Sequence, residues 1–105
     1  MKMYMTRLYI GLNDRYTKRQ EIPTERARMI VLDTLIDHGI RGCTILPARG
    51  VWQYEDDTIT DENTFVVEIM LEIECDFMLI TDALKRELNQ ESIGVSRAVV
   101  DIEWR

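Results

Sequence analysis

Residues 65–74 alternate in character: Phe65, Val67, Ile69, Leu71 and Ile73 are apolar, with Val66, Glu68, Met70, Glu72 and Glu74 between them. Successive side chains of an extended chain point to opposite faces, so this run reads as a long strand with one apolar face. Such a strand cannot stand alone in water. It needs partner strands along its edges and a second layer over its apolar side.

The rest of the chain supplies both. Leu8, Ile10 and Leu12 share one face of a strand over 6–12, which Asn13-Asp14 ends. Thr24 is placed to cap a helix with Glu25 in its first turn, and Ala27, Ile30, Val31, Leu32, Leu35 and Ile36 form its apolar stripe. Gly39 suits the left-handed position that closes it. A second strand runs from Cys43 through Arg49 and on to Tyr54, and Pro47 within it requires a bulge or an open edge. Asp76 caps a second helix with Phe77, Ile80, Ala83, Leu84 and Leu88 facing inward, and Ala98, Val100, Ile102 and Trp104 alternate along a last strand. The order is β-α-β-β-α-β. It predicts a single α+β domain over 1–105 of ferredoxin-like type, a four-stranded antiparallel sheet with both helices on one face. The other face, carrying Tyr9, Val66, Met70 and Val99 among charged residues, is expected to meet another subunit.

Charge narrows the function classes. The net charge is -6, and the nine acids between Glu55 and Asp76 have no base among them. Such a surface repels phosphate backbones, so nucleic acid is not an expected partner. The apolar runs are too short to cross a bilayer, which takes about 20 residues. Two cysteines, Cys43 and Cys75, and the single His38 form no metal-ligand spacing, so no metal and no cofactor are expected. Cysteines packed among apolar residues point to reduced thiols and a cytoplasmic protein.

The run His38-Gly39-Ile40-Arg41-Gly42-Cys43-Thr44-Ile45, followed by Ala48-Arg49-Gly50, resembles the join of first helix and second strand in the PII-like signalling proteins. Ser92-Ile93-Gly94-Val95 is similar to the family's short turn before its last strand. CutA-like trimers share the topology. The resemblance implies a trimeric regulatory or binding module taking a small anion at a subunit cleft. Thr44 and Gly50 match the family's binding positions, and Arg49 stands in place of its lysine. The family's long loop between second and third strands is short here, and its glycine- and lysine-rich nucleotide loop is reduced to Gly94 and Arg97.

The resemblance implies an anion site at Thr44 and Gly50; chemistry adds Arg49, since a guanidinium offers paired donors and Gly50 leaves the backbone accessible, and Arg97 is the only other base after residue 90 apart from Arg105. Trp52 and Tyr54 flank Gln53 on one side of an extended segment; with Trp104 they are candidate interface anchors. No nucleophile motif, phosphate loop or metalloprotease signature is present, so no catalytic residue is named. A homo-oligomer is expected, trimer first and dimer second. Two alternatives stand beside the binding module. One is a dimeric α/β-barrel enzyme acting on a small hydrophobic substrate; the other is an accessory protein that binds a protein partner through its acidic hairpin.

Overall fold

The computed structural model describes residues 1–105 as β1 (Lys2–Gly11), α1 (Thr24–Asp37), β2 (Thr44–Gln53), β3 (Ile59–Leu71), α2 (Met78–Leu88) and β4 (Gly94–Asp101). The sheet order is β2-β3-β1-β4, and every neighbouring pair is antiparallel. This is the ferredoxin-like arrangement read from the sequence. The alternating strand β3 is central, pairing with β1 on one side and β2 on the other. Phe65, Val67 and Ile69 face the helices beside Leu8 and Ile10, and together with Ala27, Val31, Leu35, Phe77, Ile80 and Leu84 they make one core. No helix is long and apolar enough to cross a membrane.

Local chemistry explains where the elements end. Gly39 takes the left-handed backbone conformation, φ 82°, and the Ile40 amide then reaches back to the Leu35 carbonyl at 2.9 Å. Asn89 does the same for α2, with φ 49°. Pro47 lies in β2, an edge strand, where a missing amide donor leaves no gap in the ladder.

Several expectations are corrected. Pro23, not Thr24, occupies the N-cap of α1, and the Thr24 hydroxyl instead accepts from Gln20 Nε2 at 2.9 Å. Phe77 caps α2, while Asp76 Oδ1 still accepts the Met78 amide at 2.9 Å. Ile36 is 65% exposed and Thr34 takes a buried place in the stripe, because residues 27, 30, 31, 34 and 35 fall on one side of a 3.6-residue turn. The acids Asp61 and Glu62 belong to β3 rather than to a turn. Val99 lies opposite Tyr4, so it points to the helix side of the sheet. β4 stops at Asp101, opposite Lys2; Ile102 adds one last pair of backbone bonds to Met1, and Trp104 lies beyond the ladder.

Replacing Ile69, fully buried on the central strand, by Ala should cost about 2–5 kcal/mol in urea unfolding. The same change at Ile36 should stay within about 0.5 kcal/mol.

Candidate functional site

β3 runs past the end of β1. Gly11 lies opposite Thr64, and the Leu12 amide donates to the Asn63 carbonyl at 2.9 Å. Glu62 follows on the open face of the sheet, the face without helices, and its carboxylate folds over Gly11. A Cβ at residue 11 would collide with that carboxylate, so the close approach needs glycine. Glu62 is only 2% exposed. Its Oε2 accepts the Asn13 amide at 2.8 Å, and none of the chain's ion pairs involves it.

The residues around this carboxylate come from three segments. Trp52 and Tyr54, two apart at the end of β2, keep to the same side as Gly50, which lies opposite Glu62. Gly50 leaves room for the Thr64 hydroxyl; a Cβ there would sit 2.6 Å from Thr64 Oγ1. From the turn after α2, Gln90 is buried and donates to the Asn13 carbonyl at 2.6 Å, which brings Glu91 and Ser92 alongside. Together they line a cavity of about 410 Å³ with Trp52, Gln53, Tyr54, Glu55, Asp57, Glu62, Gln90, Glu91 and Ser92. Four of these are carboxylates and none is basic. Such a wall selects a cation, and the two aromatic rings add π faces suited to a flat or positively charged group.

Burial pushes the Glu62 carboxyl above its ordinary value, and the Asn13 amide only partly offsets this. The Tyr54 phenol is also pushed up, first by burial and then by the nearby Glu62 charge, so it stays protonated at neutral pH. Thr60, on the same strand as Glu62, keeps its hydroxyl buried beside the Tyr54 phenol, which partly offsets that rise. The Cys43 thiol is raised by burial, which keeps it protonated and unreactive. No group of three or more His, Cys, Asp or Glu residues is placed to hold a metal ion.

The residues singled out from the sequence are spread over the sheet. Thr44 lies opposite Glu68 and Gly50 opposite Glu62, both on the open face. Arg49 lies opposite Asn63 on the helix side and donates to Asn63 Oδ1 at 2.8 Å. Arg97 is on β4, at the far edge of the sheet from β2. One chain therefore joins Thr44 and Gly50 along one strand but leaves Arg97 apart from both. Of the three aromatic anchors, Trp52 and Tyr54 line the acidic cavity, and Trp104 is 70% exposed beyond β4. Glu62, Gln90 and Glu91 were not anticipated. The one signal available was Gly11 at a strand end, with a carboxylate just before the alternating run.

No family model matches the chain, and no curated protein matches it. Among solved structures, a phage SAM lyase in complex with S-methyl-5'-thioadenosine superposes with a TM-score of 0.70 at 16% identity, covering 98% of this chain and 92% of that one. A phage SAM lyase in its apo state gives a TM-score of 0.66 at 20% identity, covering 99% and 93%. The fold is shared over the whole chain. These neighbours overturn the expectation of a PII-like or CutA-like regulatory module that takes an anion: they are an enzyme, and the cavity here is lined by acids.

A carboxyl raised by burial destabilises the fold once it must ionise. Below its ordinary value, about 4.5, Glu62 is protonated folded or unfolded and carries no cost; above it the unfolded chain ionises first, and the cost grows until the folded value is passed. Glu62→Gln should therefore melt about 3–6 °C higher than wild type at pH 7, a gap that closes as pH falls towards 4. A lower melting temperature at pH 7 would show the charge to be compensated.

Proposed function

We propose that this protein is an enzyme that cleaves S-adenosylmethionine at the bond between sulfur and the methionine Cγ, releasing S-methyl-5'-thioadenosine. The observation that carries the reading is the buried, unpaired Glu62 carboxylate in an aromatic cavity with no base in its lining. The whole-length likeness to phage SAM lyase supports it. S-adenosylmethionine carries a sulfonium, an α-ammonium and one carboxylate, so it arrives as a net cation with a flat adenine ring. The thioether product has lost the sulfonium charge.

That loss of charge assigns the roles. A carboxylate touching the sulfonium would stabilise the reactant more than a transition state in which the charge is draining away, and so would slow the reaction. Glu62 is accordingly assigned to the α-ammonium, which stays charged throughout. The rings of Trp52 and Tyr54 take the adenine and the sulfonium, where a π face holds a cation without a fixed counter-charge. As the bond breaks, its electron pair passes to sulfur. In the same step the substrate's own carboxylate closes on Cγ to give a lactone, or a Cβ proton leaves to water to give an alkene; substrate deuterated at Cβ separates the routes, since the lactone keeps both deuterons and the alkene loses one. Neither route consumes water.

We further propose that the protein works as a homo-oligomer, with another copy covering the open sheet face, where Tyr9, Val66 and Met70 are only half-buried. Light scattering should return a multiple of the 12.4 kDa chain mass.

Incubation with S-adenosylmethionine should yield S-methyl-5'-thioadenosine by liquid chromatography, without added metal or cofactor. Glu62→Gln should lower kcat/KM by about 100-fold or more, as expected for loss of a buried charge contact. Gly11→Ala, which displaces the same carboxylate, should do likewise. KM should rise with ionic strength, because capture is between unlike charges. Absence of the thioether product, or an unchanged rate in Glu62→Gln, would overturn the reading.

A further inference from the structure

Lys18 packs its ammonium against the Tyr54 ring of this site, and it does so from a built position. The segment 13–19 closes on itself through the Asp14 amide, which donates to the Arg19 carbonyl at 2.8 Å. Asp14 Oδ1 accepts the Tyr16 and Thr17 amides at 2.8 and 3.1 Å, and Asp14 Oδ2 accepts Asn89 Nδ2 at 2.7 Å. These bonds hold the Asp14 carboxyl below its ordinary value despite the cost of burial, so the loop keeps its anchor at neutral pH. Lys18 itself takes a left-handed backbone conformation, φ 61°, which is strained for a residue with a Cβ.

From there the ammonium meets three groups. It stands 4.3 Å from the centroid of the Tyr54 ring, donates to the Arg15 carbonyl and lies 3.7 Å from Asp56 Oδ2. Its side chain is 24% exposed. Tyr54 and Asp56 belong to the tight turn between β2 and β3, in which the Tyr54 amide donates to the Thr58 carbonyl at 2.8 Å and the Asp57 amide to the Tyr54 carbonyl at 2.9 Å. That turn supplies Tyr54, Glu55 and Asp57 to the cavity wall, whereas Lys18 does not line the cavity.

We infer that Lys18 is a positioning residue: its ammonium clamps the β1–α1 loop to the β2–β3 turn and holds the Tyr54 ring in the wall that receives the substrate. The inference rests on the cavity being the substrate site proposed above. A cation fixed against an aromatic ring orients that ring, and the small part of Tyr54 left exposed lines the cavity. The clamp explains how a turn carrying Glu55, Asp56 and Asp57 stays folded against a site that already holds Glu62. Without Lys18 these acids would repel one another and the turn would open.

The test compares wild type, Lys18→Met and Lys18→Arg by two independent measurements. Hydrogen exchange on the unliganded protein should show the Tyr54 and Thr58 amides exchanging about fivefold faster or more in Lys18→Met, with core amides of β3 unchanged. Lys18→Arg should restore the protection. In turnover of S-adenosylmethionine, Lys18→Met should raise KM by about fivefold or more while kcat stays within about twofold, again restored by Arg. Unchanged exchange at the turn would overturn the clamp, as would a fall in kcat with KM unmoved. Faster exchange with no turnover in wild type would leave the clamp standing and remove the substrate assignment, so the two failures are separable.

Discussion

The molecule depends on the antiparallel pairing of β1 with β3. Register sets Leu8 opposite Val67 and Ile10 opposite Phe65, and these side chains, all but fully shielded from water, are what the two helices close over. A slip of β3 by one residue would turn Phe65 and Val67 to the open face and bring Glu68 under the helices. The same register decides where the two strands part company. β1 ends at Gly11 while β3 extends back to Ile59, so β3 carries Glu62 into a region that β1 no longer covers with a side chain. The acidic cavity is thus a direct consequence of unequal strand lengths in the core pair.

Stability and chemistry pull against each other at that point. A core strand carrying Gln at residue 62 would fold with less cost, since the buried carboxylate has one amide donor and no cation. Proteins keep such groups where a ligand completes them. A cationic ligand would satisfy Glu62 and favour its ionised form, so binding and proton release are linked at this residue. That linkage also accounts for the surrounding acids being left on walls and turns, away from the core.

Much of the architecture was legible in the sequence, because period-two alternation from Phe65 to Leu71 and helical spacing from Ala27 to Leu35 follow directly from burial on one side. The failures are equally physical. Ile102 continues the alternation of Val100 and still bonds to Met1, but Trp104 lies past the last partner residue, and alternation alone cannot say where a partner ends. Thr24 and Asp76 have the side chains of good caps, but each lies one residue off the N-cap position itself. The site was harder to read. Glu62 looked like one more acid in a charged run, and only the pairing of Gly50 and Gly11 on either side of β3 shows that it is enclosed. Trp52 and Tyr54 were recognised as a pair sharing one side, and the chain places them against its own cavity.

Pro47 has a consequence for how this sheet can grow. On the outer side of β2 it presents no donor, so any strand docking along that edge forfeits a hydrogen bond at the middle of the ladder. The opposite edge, β4, has no proline and presents a continuous row of backbone groups from Gly94 to Asp101. The two rims are therefore unequal templates: one invites an added strand and the other discourages it. A chain with such a handed rim resists open-ended stacking into fibrils, because each unit that joins at the receptive edge brings a blunted one with it.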